Sequence, residues 1–292
     1  MNDYFGLPTG ILENDHIRLE YLVTAGPRIV RFSKKNGYNL LAELPDFRFD
    51  TIYGPFYFRG GHRLWRSPEI LPDTYFPDNE DLVVEELVGG IRLVHPIADG
   101  ISKLMEIRLC PDRPAAVINH HLYNHGSSPV KLAPWAITMF RPGGTAILPQ
   151  PSRNADNENL VNNRILALWP YTRISDERLV LRDDDILLRA KPYQPPLKIG
   201  YYDPHGWLAY WLDGYLFRKV FDVRVGLVFP DGGCNAESYC NDRFLELESL
   251  GPLTVLEPGA DVRHTETWEL YDTLDVPFLS DEIKEAVGQS DK

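Results

Sequence analysis

Ile17-Arg18-Leu19-Glu20-Tyr21-Leu22-Val23 alternates apolar and polar side chains, Ala25-Gly26-Pro27 interrupts it, and Arg28-Ile29-Val30-Arg31-Phe32 resumes the alternation. A repeat of two is that of an extended strand, whose successive side chains point to opposite faces. A Gly-Pro pair between two such runs reads as a turn. The opening unit is therefore strand, turn, strand. Working outward, period-two or β-branched runs recur at 81–87, 91–96, 102–109, 115–123, 130–138, 146–148, 178–181, 186–188, 207–212, 217–220 and 225–229. A last pair, 242–249 and 261–271, is split by the turn Glu257-Pro258-Gly259.

The chain has 292 residues, the upper edge of what one hydrophobic core supports. Its 22 glycines and 24 prolines fall at intervals throughout, which suits many short strands better than long helices. Few windows place apolar residues at helical spacing. The clearest helix is the tail, Ser280–Val287, where Ser280 is the N-cap and Asp281 and Glu282 fill the first turn. No repeat and no Pro/Gly/Ser-rich linker divides the sequence. These features predict an all-β fold of two packed sheets, one domain over residues 1–279, followed by a helical tail over 280–292.

Thirty Lys and Arg against 42 Asp and Glu give a net charge of −12. That balance excludes a phosphate backbone or an anionic membrane as the natural partner and favours a neutral or cationic small ligand. Met1 to Thr9 has no basic or apolar signal region, and no run is long enough to span a membrane. Three cysteines, Cys110, Cys234 and Cys240, are too few for a disulfide framework and read as reduced thiols. The expected protein is soluble and cytoplasmic.

Five stretches are unusually rich in polar and aromatic residues. In Gly60-Gly61-His62-Arg63-Leu64-Trp65-Arg66-Ser67-Pro68-Glu69, the glycines would let backbone approach a ligand. His62, Arg63, Trp65 and Glu69 would offer a titrating group, a fork of donors, an apolar plate and a carboxylate. On the strand around Asn119-His120-His121-Leu122-Tyr123, His120 and His121 face opposite ways and cannot share a metal. Trp135, ahead of Gly143-Gly144, has the type of face that stacks on a sugar ring. Trp169-Pro170-Tyr171 resembles a ligand loop in composition. The fifth stretch runs from Phe229 to Ser249: Glu246 and Glu248 share one face of a strand, and paired carboxylates push a pKa upward. Each stretch also has a plain structural reading as turn, core or solvated face. Asn235, Glu237 and Asn241 offer oxygens, but no calcium-ligand spacing is present, so neither metal nor cofactor is expected.

Phe244-Leu245-Glu246-Leu247-Glu248, Leu256-Glu257-Pro258-Gly259 and Thr265-Glu266-Thr267-Trp268-Glu269-Leu270-Tyr271 together resemble the closing strands of the galactose mutarotase-like (aldose 1-epimerase) superfamily. Gly61-His62-Arg63-Leu64 resembles that family's early G-x-x-N-R-I segment. Tyr123-Asn124-His125-Gly126-Ser127-Ser128-Pro129 resembles its N-x-S/G-x-x-P hairpin. The resemblance covers most of the chain.

The resemblance implies a β-supersandwich with a sugar site on the concave face of the large sheet. It also implies an isomerase that interconverts sugar anomers, in which one group takes the anomeric hydroxyl proton and another protonates the ring oxygen. Glu246 falls at the family's general base and Arg63 at its hydroxyl-binding arginine. The family's acid histidine has no counterpart, since Ala133-Pro134-Trp135-Ala136 stands there. His62 is the replacement acid candidate, with His120 and His121 behind it. Arg63, Trp65, Glu69, His121, Trp135, Glu237 and Glu248 are the expected substrate-binding set. The expected partner is a small carbohydrate, with a homodimer as the assembly considered. The competing reading is a non-catalytic sugar-binding protein or sensor on the same fold.

Overall fold

In a computed structural model, the structure describes residues 3–96, 99–151, 161–192 and 195–272. Two large sheets carry the fold. The first runs edge to edge through Asp3–Tyr4, Leu7–Glu13, Ile17–Leu22, Arg28–Lys34, His62–Ser67, Val130–Phe140, Leu245–Leu250, Ala236–Cys240, Leu197–Tyr201 and Leu166–Leu168, with Thr254–Leu256 paired to one end of Val130–Phe140. The second runs through Leu179–Leu181, Asp185–Arg189, Thr145–Pro149, Trp207–Leu212, Tyr215–Phe221, Asp261–Asp272, Ala115–Asn124, Ile101–Leu109, Gly90–Val94 and Val83–Leu87. The central pairings are antiparallel. A two-stranded sheet, Glu43–Thr51 with Gly54–Gly60, lies apart from both. The single helical element among the described residues is the 3-10 turn Asp73–Tyr75. The tail expected to be helical lies outside the described residues.

The opening alternation explains the inner core. Ile17 and Leu19 point between the sheets and join Phe32, Phe140, Phe217 and Trp268. Phe32 meets Trp268 edge-on at 5.3 Å between ring centroids and Phe217 at 5.8 Å. Edge-to-face aromatic pairs are favoured by the ring quadrupoles and add to the stabilisation from burial.

The first sheet also buries its outer face at its centre. Every residue of Val130–Phe140 from Leu132 onward is buried. Strands covered on both faces lose the clean alternation of a half-exposed sheet. Here the outer cover is a second cluster that includes Trp65, Trp135, Ile137, Met139, Phe56 and Phe244.

Two sequence expectations give way. Residues 225–229 form no strand: Val225 and Val228 are exposed, and the segment is held by a single backbone bond from Leu253 N–H to Val228 O at 2.8 Å. Gly60 and Gly61 do not make room for a ligand. Both have positive φ, and an added Cβ would come within 2.0 Å of Ala42 O and Ile29 O respectively. The close approach is between backbones, and it admits the chain to His62–Ser67.

Candidate functional site

Five strands at the centre of the first sheet present one face to a cavity of about 320 Å³. The register sets the rows. Trp65 stands opposite Trp135, Arg63 opposite Ile137, Ile137 opposite Glu248, and Glu248 opposite Glu237. The next row runs Met139, Glu246, Tyr239, Lys198. Directly opposed residues put their side chains on the same face, so alternation along each strand delivers all of these groups to one place. Gly200 faces Glu237, and a Cβ there would crowd Glu237 Cγ at 3.1 Å and Cys234 Sγ at 2.8 Å. Glycine at that position leaves space for the buried carboxyl.

The walls are aromatic. Phe47 and Phe58 come from the two-stranded sheet, Trp169 and Tyr171 from the loop after Leu166–Leu168, and Tyr75 from the 3-10 turn. Two cations use the indole faces. The Arg63 guanidinium lies 4.0 Å from the Trp65 ring centroid, and Lys198 Nζ lies 4.6 Å from both Trp135 and Trp169. Such contacts are attractive, and more so when desolvated.

Glu246 lines the cavity on the same row as Met139 and Tyr239. Arg63 Nη2 donates to its Oε1 at 3.1 Å, while Arg63 Nη1 points at Met139 Sδ. No described residue hydrogen-bonds Glu246 Oε2. Burial raises the Glu246 carboxyl, Arg63 opposes that shift, and the balance lies at about 7.

Lys198 Nζ donates to Glu248 Oε2 at 2.8 Å and lies 2.7 Å from Glu237 Oε2. Trp135 Nε1 also donates to Glu248 Oε2, at 2.7 Å. Burial alone lowers the Lys198 ammonium, but Glu248 and Glu237 outweigh it and hold it well above its ordinary value. Burial drives Glu237 upward, and Glu248 adds to that. One ammonium cannot balance two buried carboxylates, which is why Glu237 resists ionisation.

The structure brings together most of the residues singled out in the sequence. Glu246, Arg63, Trp65 and Trp135 line the cavity, Glu69 sits at its rim, and Glu237 and Glu248 are buried beneath it. Asn235, Glu237 and Asn241 build no oxygen cage. Asn235 bonds the Asp203 backbone, Glu237 meets Lys198, and Asn241 Oδ1 accepts the Arg243 and Phe244 amides.

Two predicted site residues are elsewhere. His121 points from the far face of the second sheet, with Nδ1 2.9 Å from Asp261 Oδ2. His62 neighbours Arg63 on the same strand and so faces the opposite way, between the sheets. There its Nε2 is 2.7 Å from His120 Nε2 and its Nδ1 is 2.9 Å from Thr138 Oγ1. Burial lowers both imidazoles, His120 to about 4. His62, His120 and Glu266 have ligand-type atoms within 4.8 Å of one another. Lys219 Nζ already neutralises Glu266 at 2.7 Å. A divalent cation would bring uncompensated positive charge into a sealed apolar core, so this cluster fits a structural role.

Lys198 and Tyr239 escaped the sequence reading. The signal for Lys198 was the alternation of Leu197-Lys198-Ile199-Gly200-Tyr201, which forms a strand.

No protein-family profile matches the sequence, and no curated protein matches it. Solved structures do match. A protein proposed to be an aldose 1-epimerase, from Escherichia coli K12, aligns over 91% of this chain and 100% of its own, with 13% identity and a TM-score of 0.58. A galactose mutarotase-like protein from Lactobacillus casei aligns over 90% of this chain and 100% of its own, with 10% identity and a TM-score of 0.56. A TPR-domain containing protein from Parabacteroides distasonis aligns over 94% of this chain and 50% of its own, with 14% identity and a TM-score of 0.60. The chain is a divergent protein with the galactose mutarotase-like fold. No described helix is long and apolar enough to cross a membrane.

Proposed function

We propose that the cavity binds a small aldose and that the protein interconverts its anomers, with Glu246 moving the anomeric proton. The observation that carries this reading is one carboxyl group, poised near neutrality at about 7, in an aromatic-walled cavity of about 320 Å³. That volume is at the lower end of small-molecule sites, ~300–1,000 Å³, and suits a sugar of one or two rings. A proton-transfer group works best when its pKa is near the working pH. Aromatic faces suit the C–H faces of a pyranose. Arg63 and Lys198 already donate to the carboxyl groups of Glu246, Glu237 and Glu248, which occupies N–H donors that an anionic ligand would need. A neutral aldose is the substrate class, ahead of uronic acids or phosphorylated sugars.

Exchange between α and β anomers, followed by NMR over a panel of hexoses and pentoses, tests this reading. The expected result is exchange above the buffer rate, lost in Glu246→Gln while the sugar still binds. One observation favours a second reading, a sugar-binding protein without turnover. Among the described residues, no histidine lines the cavity. Ligand-induced shifts without accelerated exchange would select it.

A further inference from the structure

Anomer exchange needs two proton movements: one off the anomeric hydroxyl and one onto the ring oxygen. The cavity offers few groups for the second. His62 faces the other side of the sheet. Lys198 spends two of its three N–H donors on Glu237 and Glu248, and those carboxylates hold its proton tightly. The Arg63 guanidinium does not release a proton under ordinary conditions. The Tyr75, Tyr171 and Tyr239 phenols are all raised by burial. Glu69 is exposed at the rim and accepts the Tyr75 hydroxyl.

Glu246 is differently placed. Its Oε1 takes one hydrogen bond from Arg63 and keeps a second lone pair, while its Oε2 has no described partner, and the residue lines the cavity. The groups around it are Arg63 from His62–Ser67, Glu248 on its own strand, Tyr239 and Glu237 from Ala236–Cys240, Lys198 from Leu197–Tyr201, and Tyr75 from the 3-10 turn. The facing residue on Val130–Phe140 is Met139, which does not titrate.

Resting on the anomer-exchange reading, we propose that Glu246 acts alone, as a neutral carboxylic acid that moves both protons in one concerted step. The Oε2–H donates to the ring oxygen while Oε1 accepts the proton of the anomeric hydroxyl. The bond between C1 and the ring oxygen breaks and its electron pair takes the donated proton, while the electron pair freed from the O1–H bond forms the second C1–O1 bond of the carbonyl. The open-chain aldehyde turns about C1–C2. Ring closure on the other face then runs the two transfers backward. The carboxyl ends neutral, no net proton is gained or lost, and no charge separates. The last point matters among aromatic walls, where separated charges are poorly solvated. The two oxygens of a carboxyl share one carbon, as do the two oxygens at an anomeric centre, so a closed ring of two hydrogen bonds can join them.

The sign of the pH profile tests this. Enzyme-dependent exchange is measured at constant buffer concentration between about pH 5 and pH 9, and repeated in mixtures of light and heavy water. The expected rate is highest below about 7 and falls about tenfold per unit above it, as the neutral carboxyl titrates away. The isotope dependence is curved, because two protons move together. Glu246→Asp keeps the carboxyl but sets it back by one methylene, and should keep the falling profile at a lower rate. A rate that rises through the same pH range, with a linear isotope dependence, would overturn the single-carboxyl mechanism. It would mean an ionised base with a separate acid, and anomer exchange would stand. No acceleration at any pH, with sugar-induced shifts still present, would overturn both.

Discussion

Two polar clusters lie on opposite sides of the first sheet, the inner one shared with strands of the second sheet and the outer one beside the cavity. The inner one joins His62, His120, His264, Ser249, Lys219 and Glu266. The outer one joins Arg63, Glu246, Lys198, Glu237 and Glu248. Their residue types overlap, yet their balance differs. Inside, one lysine meets one glutamate at 2.7 Å. Glu266 Oε1 also accepts Ser249 Oγ, and Glu266 Oε2 accepts Trp268 Nε1 at 2.8 Å. Outside, two cations face three carboxyl groups, two buried oxygens, Glu237 Oε1 and Glu248 Oε1, have no partner among the described residues, and a cavity opens beside Glu246. A satisfied buried network serves the fold, whereas an unbalanced one beside a cavity marks a candidate ligand site.

The largest expected effect is on the outer cluster. Glu246→Gln should lower anomer exchange by about 10²–10⁴-fold, the usual worth of a positioned proton-transfer group, with the fold retained. Unaltered exchange would end the assignment of Glu246.

The inner cluster should respond in stability instead. Lys219→Met strands the Glu266 carboxylate and should cost about 3–5 kcal/mol in denaturant unfolding. His62→Gln, which disturbs the contact with His120, should cost about 1–3 kcal/mol. Exchange per folded molecule should be unchanged in the His62 variant. A rate loss there at full folding would show that the two clusters are coupled through the sheet.

The two clusters should also answer pH in opposite directions. Despite burial, which acts to raise it, Glu266 is held below its ordinary value of 4.5 by Lys219 and the histidines. Burial lowers His120 to about 4 and His264 to about 3 from 6.5. The unfolded chain therefore binds more protons at these sites, and their stability is lost as pH falls below about 6.5. Glu246 is raised from 4.5 to about 7. Its folded form binds the extra proton, so stability is lost as pH rises between those values. Glu246→Gln should therefore gain stability relative to the parent across that interval. A difference in melting temperature that stays flat with pH would contradict the raised Glu246 carboxyl.

The smallest expected effect is at the wall. Trp169→Ala removes one indole from Lys198 and from the ligand, and should weaken sugar binding about 2–10-fold, the range of one aromatic contact. Tryptophan fluorescence or NMR titration reads it.

Much of this arrangement was visible in the sequence. Alternation at 17–23, 115–123, 130–138 and 261–271 marks four of the strands to within two residues at their ends, because side-chain period is a local property of an extended chain. It also put Glu246 and Glu248 on one face. Trp169 and Tyr171 stood out by composition, and both line the cavity. Beside Gly60 and Gly61 the alternation is masked by the glycines that precede it. His62–Ser67 is a strand, and its period sends His62 inward and Arg63 outward. Lys198 went unnoticed because its strand has five residues and little contrast.

The sequence by itself determined the strand-rich architecture and the pairing of carboxylates, since both depend on residues close together in the chain. Only the tertiary structure decided which charges meet. Arg63 and Glu246 are 183 positions apart, and Lys198 and Glu248 are 50 apart. Their contact depends on the order and register of strands in the sheet, and a slip of one residue would turn every side chain to the other face. Burial, which sets Glu246 near neutrality and the core histidines far below it, is likewise a property of what packs above each strand and is not written in its period.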